Sequence, residues 1–254
     1  MANQMLAEVE KALKTAPAPT ATGSSITGPS ITAPETLALP DVIMSTIACL
    51  AVAILFAVPG WMFLAGSFAL YLGLIIVLMF AGIYVARRSP VSAGLALGYS
   101  ALLGLMMGAF SHMATMSTGN VQLITQAVLG TVAGAVGMLA VYATPFGRKA
   151  SKSSKLFIGL MIGYAAVGLA NVVAVMLGVG NGWGFYGVSG IGLLLCALGV
   201  ALACWSLLND IGNADRAIAA GAPRTWQWSL GMALCSSIVW LYLELLRLLS
   251  ILNR

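Results

Sequence analysis

Residues 240–252 read WLYLELLRLLSIL, a run that is apolar except for one acid, Glu244, and one base, Arg247. Its length and composition suit a helix inside a membrane, yet it carries two ionisable groups. A charged side chain at bilayer depth costs at least ~2.5–3.5 kcal/mol, so such groups face a bundle interior or water and have partners. Glu244 and Arg247 stand at i and i+3, on one helical face, which makes a local ion pair the simplest reading. Leucine at both positions would remove the desolvation penalty, so their presence points to a use beyond stability.

The rest of the chain agrees with a membrane setting. Of 254 residues, 60% are hydrophobic and 7% charged, with a mean hydropathy of +0.99. A soluble domain carries roughly 25% charged residues, so this chain cannot cover a water-facing surface. Seven apolar segments, 42–60, 62–86, 91–114, 121–143, 156–178, 186–209 and 227–252, are long enough to cross ~30 Å of hydrocarbon. The first two are expected to part at the Pro-Gly turn VPGW (58–61). Residues 1–40, rich in Pro, Ser, Thr and Gly, are expected to form a disordered tail, and 41–254 the membrane domain. No internal repeat is evident.

Lys and Arg cluster in alternate connections: Arg87 and Arg88; Arg148, Lys149, Lys152 and Lys155; Arg216 and Arg224. The intervening connections hold none. The positive-inside rule then places the N-terminus and the basic loops in the cytoplasm. The net charge of +5 is thereby a topology signal, and no nucleic-acid surface is expected.

Other features carry little chemistry. Gly182, Gly184 and Gly187 match a dinucleotide-loop spacing, but a membrane helix precedes them and no acid follows at the required distance. His112 is the sole histidine and cannot form a metal site without companions; a boundary position at the end of the third span suits it. Asn171 is expected to hydrogen-bond between helices. Cys49, Cys196, Cys204 and Cys235 lie in apolar segments and read as packing residues. Glycines four apart, at 94/98, 104/108, 130/134 and 159/163, allow close helix approach. No nucleophile–base pair, metal set or cofactor motif appears, so an enzyme is not expected. Only three acids lie beyond the first span's start: Asp210, Asp215 and Glu244.

The stretch LLNDIGNADRAIAAGAP (207–223), followed by WLYLELLRLLSIL, resembles the Bax inhibitor-1 family and is closest to its bacterial branch. The resemblance is strongest over 200–252, looser over the other spans, and absent from 1–40. It implies an all-α seven-transmembrane-helix bundle with the last helix enclosed by six others, in a bacterial inner membrane. It also implies a pH-sensitive leak for cations, calcium among them, gated by two carboxylates that share a proton. These map to Asp210 and Glu244; from the residues themselves, Arg247 (as the local counter-charge), Asp215 and His112 are read as supporting positions. Two departures stand out: the second acid is Glu rather than Asp, and Gly212 stands where the bacterial pattern has another acid. Spacing also argues against contact, because Glu244 lies 17 residues past Gln227, roughly 25 Å along a helix. A second reading is a non-conducting regulator that binds another membrane protein through the N-terminal segment or the glycine-lined faces.

Overall fold

The computed structural model describes residues 35–64, 68–152, 154–182, 184–187 and 190–253. Among these residues eight α-helices follow one another: α1 Leu39–Pro59, α2 Phe68–Ala86, α3 Ala93–Thr118, α4 Gln122–Ala143, α5 Pro145–Ala150, α6 Ser154–Met176, α7 Ile191–Ala219 and α8 Gln227–Leu252. All but the short α5 are long and apolar enough to span a membrane. The protein is an all-α seven-span bundle.

The last helix forms its axis. The backbone of α8 packs on α7, α1, α3 and α4. Tyr164 of α6 reaches it by a hydrogen bond, and Tyr71 of α2 joins the core cluster that holds Tyr242 and Leu246. Buried residues recur along α8 from Ser229 to Ser250, whereas α2 and α6 leave large apolar side chains such as Phe80, Ile158 and Ile162 open to lipid.

Two of the four glycine pairs make the packing possible. A β-carbon at Gly104 or Gly108 of α3 would collide with the backbone of Ala53 or Ala57 on α1. Gly130 and Gly134 of α4 receive the side chains of Leu245 and Leu241 from α8. Among the described residues nothing lies within contact of a β-carbon placed at Gly94, Gly98, Gly159 or Gly163. Cys49 and Cys235 share a core cluster of small and branched residues between α1, α3 and α8.

The expected turn at 58–61 is not where the first span ends. The chain stays helical through Pro59 and continues as a π-turn, Gly60–Leu64. Proline is tolerated in membrane helices where the hydrogen bonding locally readjusts, and a π-turn is such a readjustment. Gly60 is required here because a side chain would strike Leu105 of α3.

The expected tail boundary at residue 40 also needs correction. Residues 1–34 lie outside the described part of the chain, but 35–40 are docked on the connection between α7 and α8. Thr36 bridges Pro223, the Leu37 amide donates to Ala222 O (2.8 Å), and the Arg224 amide donates to Glu35 O (2.9 Å). Leu37 is only 3% exposed and packs with Val42, Ala217, Trp226 and Leu230. The Arg224 side chain bonds Glu35 and lies 3.0 Å from Asp41, whose carboxylate also accepts the Ala38 amide as an N-terminal cap of α1. Burying one leucine is worth about 1.5–3 kcal/mol. We therefore expect a truncation beginning at Pro40 to unfold at lower temperature than one beginning at Glu35. Equal melting temperatures in the same detergent would show that this strap adds nothing.

Candidate functional site

Two polar sites occur in the bundle, at different depths. The first belongs to the opening motif. Glu244, 2% exposed, has its Oε1 bonded by the Tyr164 hydroxyl (2.8 Å), Trp240 Nε1 (3.0 Å) and Arg247 Nη1 (3.0 Å). Its Oε2 accepts a second bond from the same arginine nitrogen at 2.9 Å. The i,i+3 ion pair read from sequence is thus present, and a tryptophan at i−4 completes the local part. Arg247 is in turn enclosed by aromatics: its guanidinium stands 4.6 Å from the Tyr186 ring centre and 5.3 Å from that of Phe110. Aromatic faces attract a cation, and more so once it is desolvated.

Three groups of this site come from distant sequence. Tyr164 is on α6; Tyr186 lies in a short 3-10 turn, Gly184–Gly187, and its hydroxyl donates to that of Tyr164 at 3.2 Å. Burial, the largest influence, pushes the Tyr186 phenol up, so it remains a proton donor. Gly199 of α7 is the third: a side chain there would run into the Glu244 carboxyl and the Tyr164 hydroxyl. The turn itself is pinned by Asn171, whose Oδ1 accepts the Phe185 amide (2.8 Å). Asn171 therefore binds a loop rather than a neighbouring helix. Gly184, with φ +63°, approaches so closely that a β-carbon would strike that amide oxygen.

The second site surrounds Asp210. The expected span ended at 209, with Asp210 at its tip. Instead α7 continues to Ala219, because Gly212, Ala214 and Ala217 present a small buried face to the bundle. Asp210 sits inside the helix, and its Oδ2 accepts the Ser237 hydroxyl of α8 at 2.5 Å. Ser237 also pairs with Ser206 at 2.8 Å. These groups line a half-enclosed cavity of about 330 Å³ with Asn213, Ser229, Ser236 and Tyr99, and exposed Arg88 and Ser89 stand at its mouth.

The two acids do not meet. The antiparallel register sets Gly199 opposite Glu244 and Ser206 opposite Ser237. Ser237 precedes Glu244 by two helical turns, roughly 10 Å, and Gly199 precedes Asp210 by three, roughly 16 Å. Along α8 Trp240 and Leu241 lie between Ser237 and Glu244, and along α7 Leu202 and Ala203 lie between Gly199 and Asp210. No hydrogen bond joins the two carboxyls, and each has partners of its own. The direct proton-sharing pair implied by the resemblance is absent from this arrangement.

The supporting residues are also dispersed. Asp215 is exposed at the basic end, where the Tyr142 hydroxyl donates to it (2.7 Å). His112 is six residues short of the end of α3, with its ring 4.9 Å edge-on to Trp61 and its Nδ1 buried without a partner among the described residues. Among the described residues no group of three or more His, Cys, Asp or Glu side chains could hold a metal ion.

A central helix carrying a buried, aromatic-lined ion pair, wrapped by six further spans, defines an integral membrane protein of polytopic α-helical type. The chain belongs to the Bax inhibitor 1-like family, whose family model matches residues 4–254. The match extends into the N-terminal segment, beyond the reach of the local resemblance over 200–252. No curated protein matches the chain.

Proposed function

We propose that the protein is a pH-sensitive cation leak, with calcium among the ions to be tested, captured here in a closed arrangement. The observation that carries this reading is the half-enclosed cavity at the basic end, whose largely apolar walls carry Asp210 together with Asn213, Tyr99 and several serines. An ionised carboxylate at the end of a half-enclosed, low-dielectric vestibule concentrates cations, because the walls focus its field. Hydroxyls of Ser206, Ser229, Ser236 and Ser237 and the amide of Asn213 offer further oxygen ligands of the kind that hard cations prefer. Beyond the cavity, the layer around Trp240 closes the path, and the Glu244–Arg247 pair stands behind it. Opening would part α7 from α8, which the Asp210–Ser237 and Ser206–Ser237 bonds now hold together. Ionisation of Asp210 adds a negative charge inside this cavity and so strengthens cation attraction, and flux should rise with pH. The proposal includes a bacterial inner-membrane location with the basic end and the N-terminus in the cytoplasm, following the distribution of Lys and Arg.

A different observation favours the second reading, a non-conducting regulator that binds another membrane protein. The Glu244 carboxylate already accepts from Tyr164, Trp240 and Arg247, and it does not line the cavity that holds Asp210. Purified protein in liposomes decides between them. We expect calcium, sodium or potassium efflux above that of empty liposomes, increasing from acid to neutral pH. Efflux equal to that of empty vesicles at every pH would overturn the leak and leave the regulator.

A further inference from the structure

We propose that the corner between α4 and α6, built by the short helix α5, is a binding site for the phosphate headgroup of an anionic phospholipid. Gly147 allows α5 to fold back beneath α4: a side chain there would meet the carbonyl of Val141. The Thr144 hydroxyl caps α5 by accepting the Gly147 amide at 3.1 Å. Its far end is fastened to α7, since Trp205 Nε1 donates to Ala150 O and the Arg216 guanidinium donates to Ser151 O and Oγ, each at 3.4 Å. The fold thus ties both ends of α5 to its neighbours at the level where two membrane spans end.

The outer side of this corner has two kinds of residue. Arg148, Lys149 and Lys152 line an open cleft of about 400 Å³ with Ala143 and Pro145. All three cations are exposed and, among the described residues, none forms an ion pair. Asp215, the acid on the adjoining end of α7, is instead engaged by Tyr142. Beside them Phe146 is 75% exposed. An aromatic ring left open next to unpaired cations suits the boundary between headgroups and acyl chains, where the ring enters the apolar layer and the cations meet phosphate. A loop that only reports topology needs the charge, but neither the cleft nor the exposed ring. The phosphate chemistry could also come from a soluble anion; Phe146 and the position at the span ends favour the lipid. Each Lys or Arg near an anionic surface is worth roughly a fivefold gain in binding.

The test uses the purified full chain in neutral detergent, titrated with phosphatidylglycerol or phosphatidylcholine and read by native mass spectrometry. We expect preferential retention of phosphatidylglycerol, lost in the triple variant Arg148→Gln/Lys149→Gln/Lys152→Gln and kept in Arg87→Gln/Arg88→Gln. Lys152→Gln alone, outside α5, should lose the preference in part and covers the case in which the triple variant does not fold. The proposal is overturned if the triple or the Lys152 variant keeps the full preference. It is equally overturned if the Arg87/Arg88 variant loses as much, which would mean diffuse charge, or if inorganic phosphate displaces the lipid, which would make the cleft a soluble-anion site.

Discussion

Replacing Arg247 with methionine is expected to destabilise the bundle by about 3–5 kcal/mol, the usual consequence of leaving a buried carboxylate without its counter-charge. Glu244 would retain the Tyr164 and Trp240 donors, but both are neutral and cannot offset a full charge. Glu244→Gln should be milder. The amide oxygen can still accept from Tyr164 and Trp240, while Arg247, with a side chain 21% exposed, keeps its contacts with Tyr186 and Phe110. The double variant Glu244→Leu/Arg247→Leu separates stability from function. Desolvation of both charges disappears, which commonly stabilises by 1–4 kcal/mol, but Tyr164 and Trp240 lose their acceptor at about 1–3 kcal/mol each. We expect it to recover part, not all, of the loss in the Arg247 variant. Thermal unfolding in detergent measures the series, at roughly 2–4 °C per kcal/mol for a chain of this size. An Arg247→Met protein that melts with the wild type would show that the pair is not buried as described.

The spans are legible because length and hydropathy are properties of each segment alone, and the predicted start of α8 at residue 227 coincides with the observed one. The local ion pair and Trp240 can also be read, from i+3 and i−4 spacing on one helix. Sequence and structure part where a residue's meaning depends on neighbours. Pro59 reads as a turn in water, but the π-turn that follows it keeps the span going. The end of α7 falls ten residues beyond the expected one because Asn209, Asp210 and Asn213 look like a loop, although the small faces of Gly212, Ala214 and Ala217 continue the helix. Residues 35–40 look like tail, yet Leu37 and Glu35 have partners nearly 190 positions away. Tyr164, Tyr186 and Gly199 carry no local signature, since a tyrosine or glycine in a membrane span is ordinary until its neighbours are known. For Asp210 and Glu244, helical arithmetic and the resemblance disagree, and the structure follows the arithmetic.

That separation makes Asp210, rather than the pair, the residue whose charge should control flux. Asp210→Asn preserves shape and can still bond Ser237, but it carries no charge at any pH. Within the leak reading, it should lower cation efflux at neutral pH by on the order of ten- to a hundredfold. At an effective dielectric near 20, one charge acting on a cation ~4 Å away is worth about 4 kcal/mol before the ion's own desolvation is subtracted. The sign follows from the charged form. The wild-type carboxylate attracts cations only when ionised, so wild-type flux climbs with pH while the Asp210→Asn variant stays low and flat. The groups that face Asp210 (Ser206 and Asn213 on α7, Ser236 and Ser237 on α8, Tyr99 on α3, and Arg88 at the mouth) include one cation, so Arg88→Gln should raise flux where Asp210→Asn lowers it. Glu244→Gln, two turns deeper and screened by Arg247, should leave the shape of the pH profile intact even as it lowers stability. If Glu244→Gln flattens the profile and Asp210→Asn does not, control lies with the buried ion pair, and the cavity at the basic end is only a recess in the bundle.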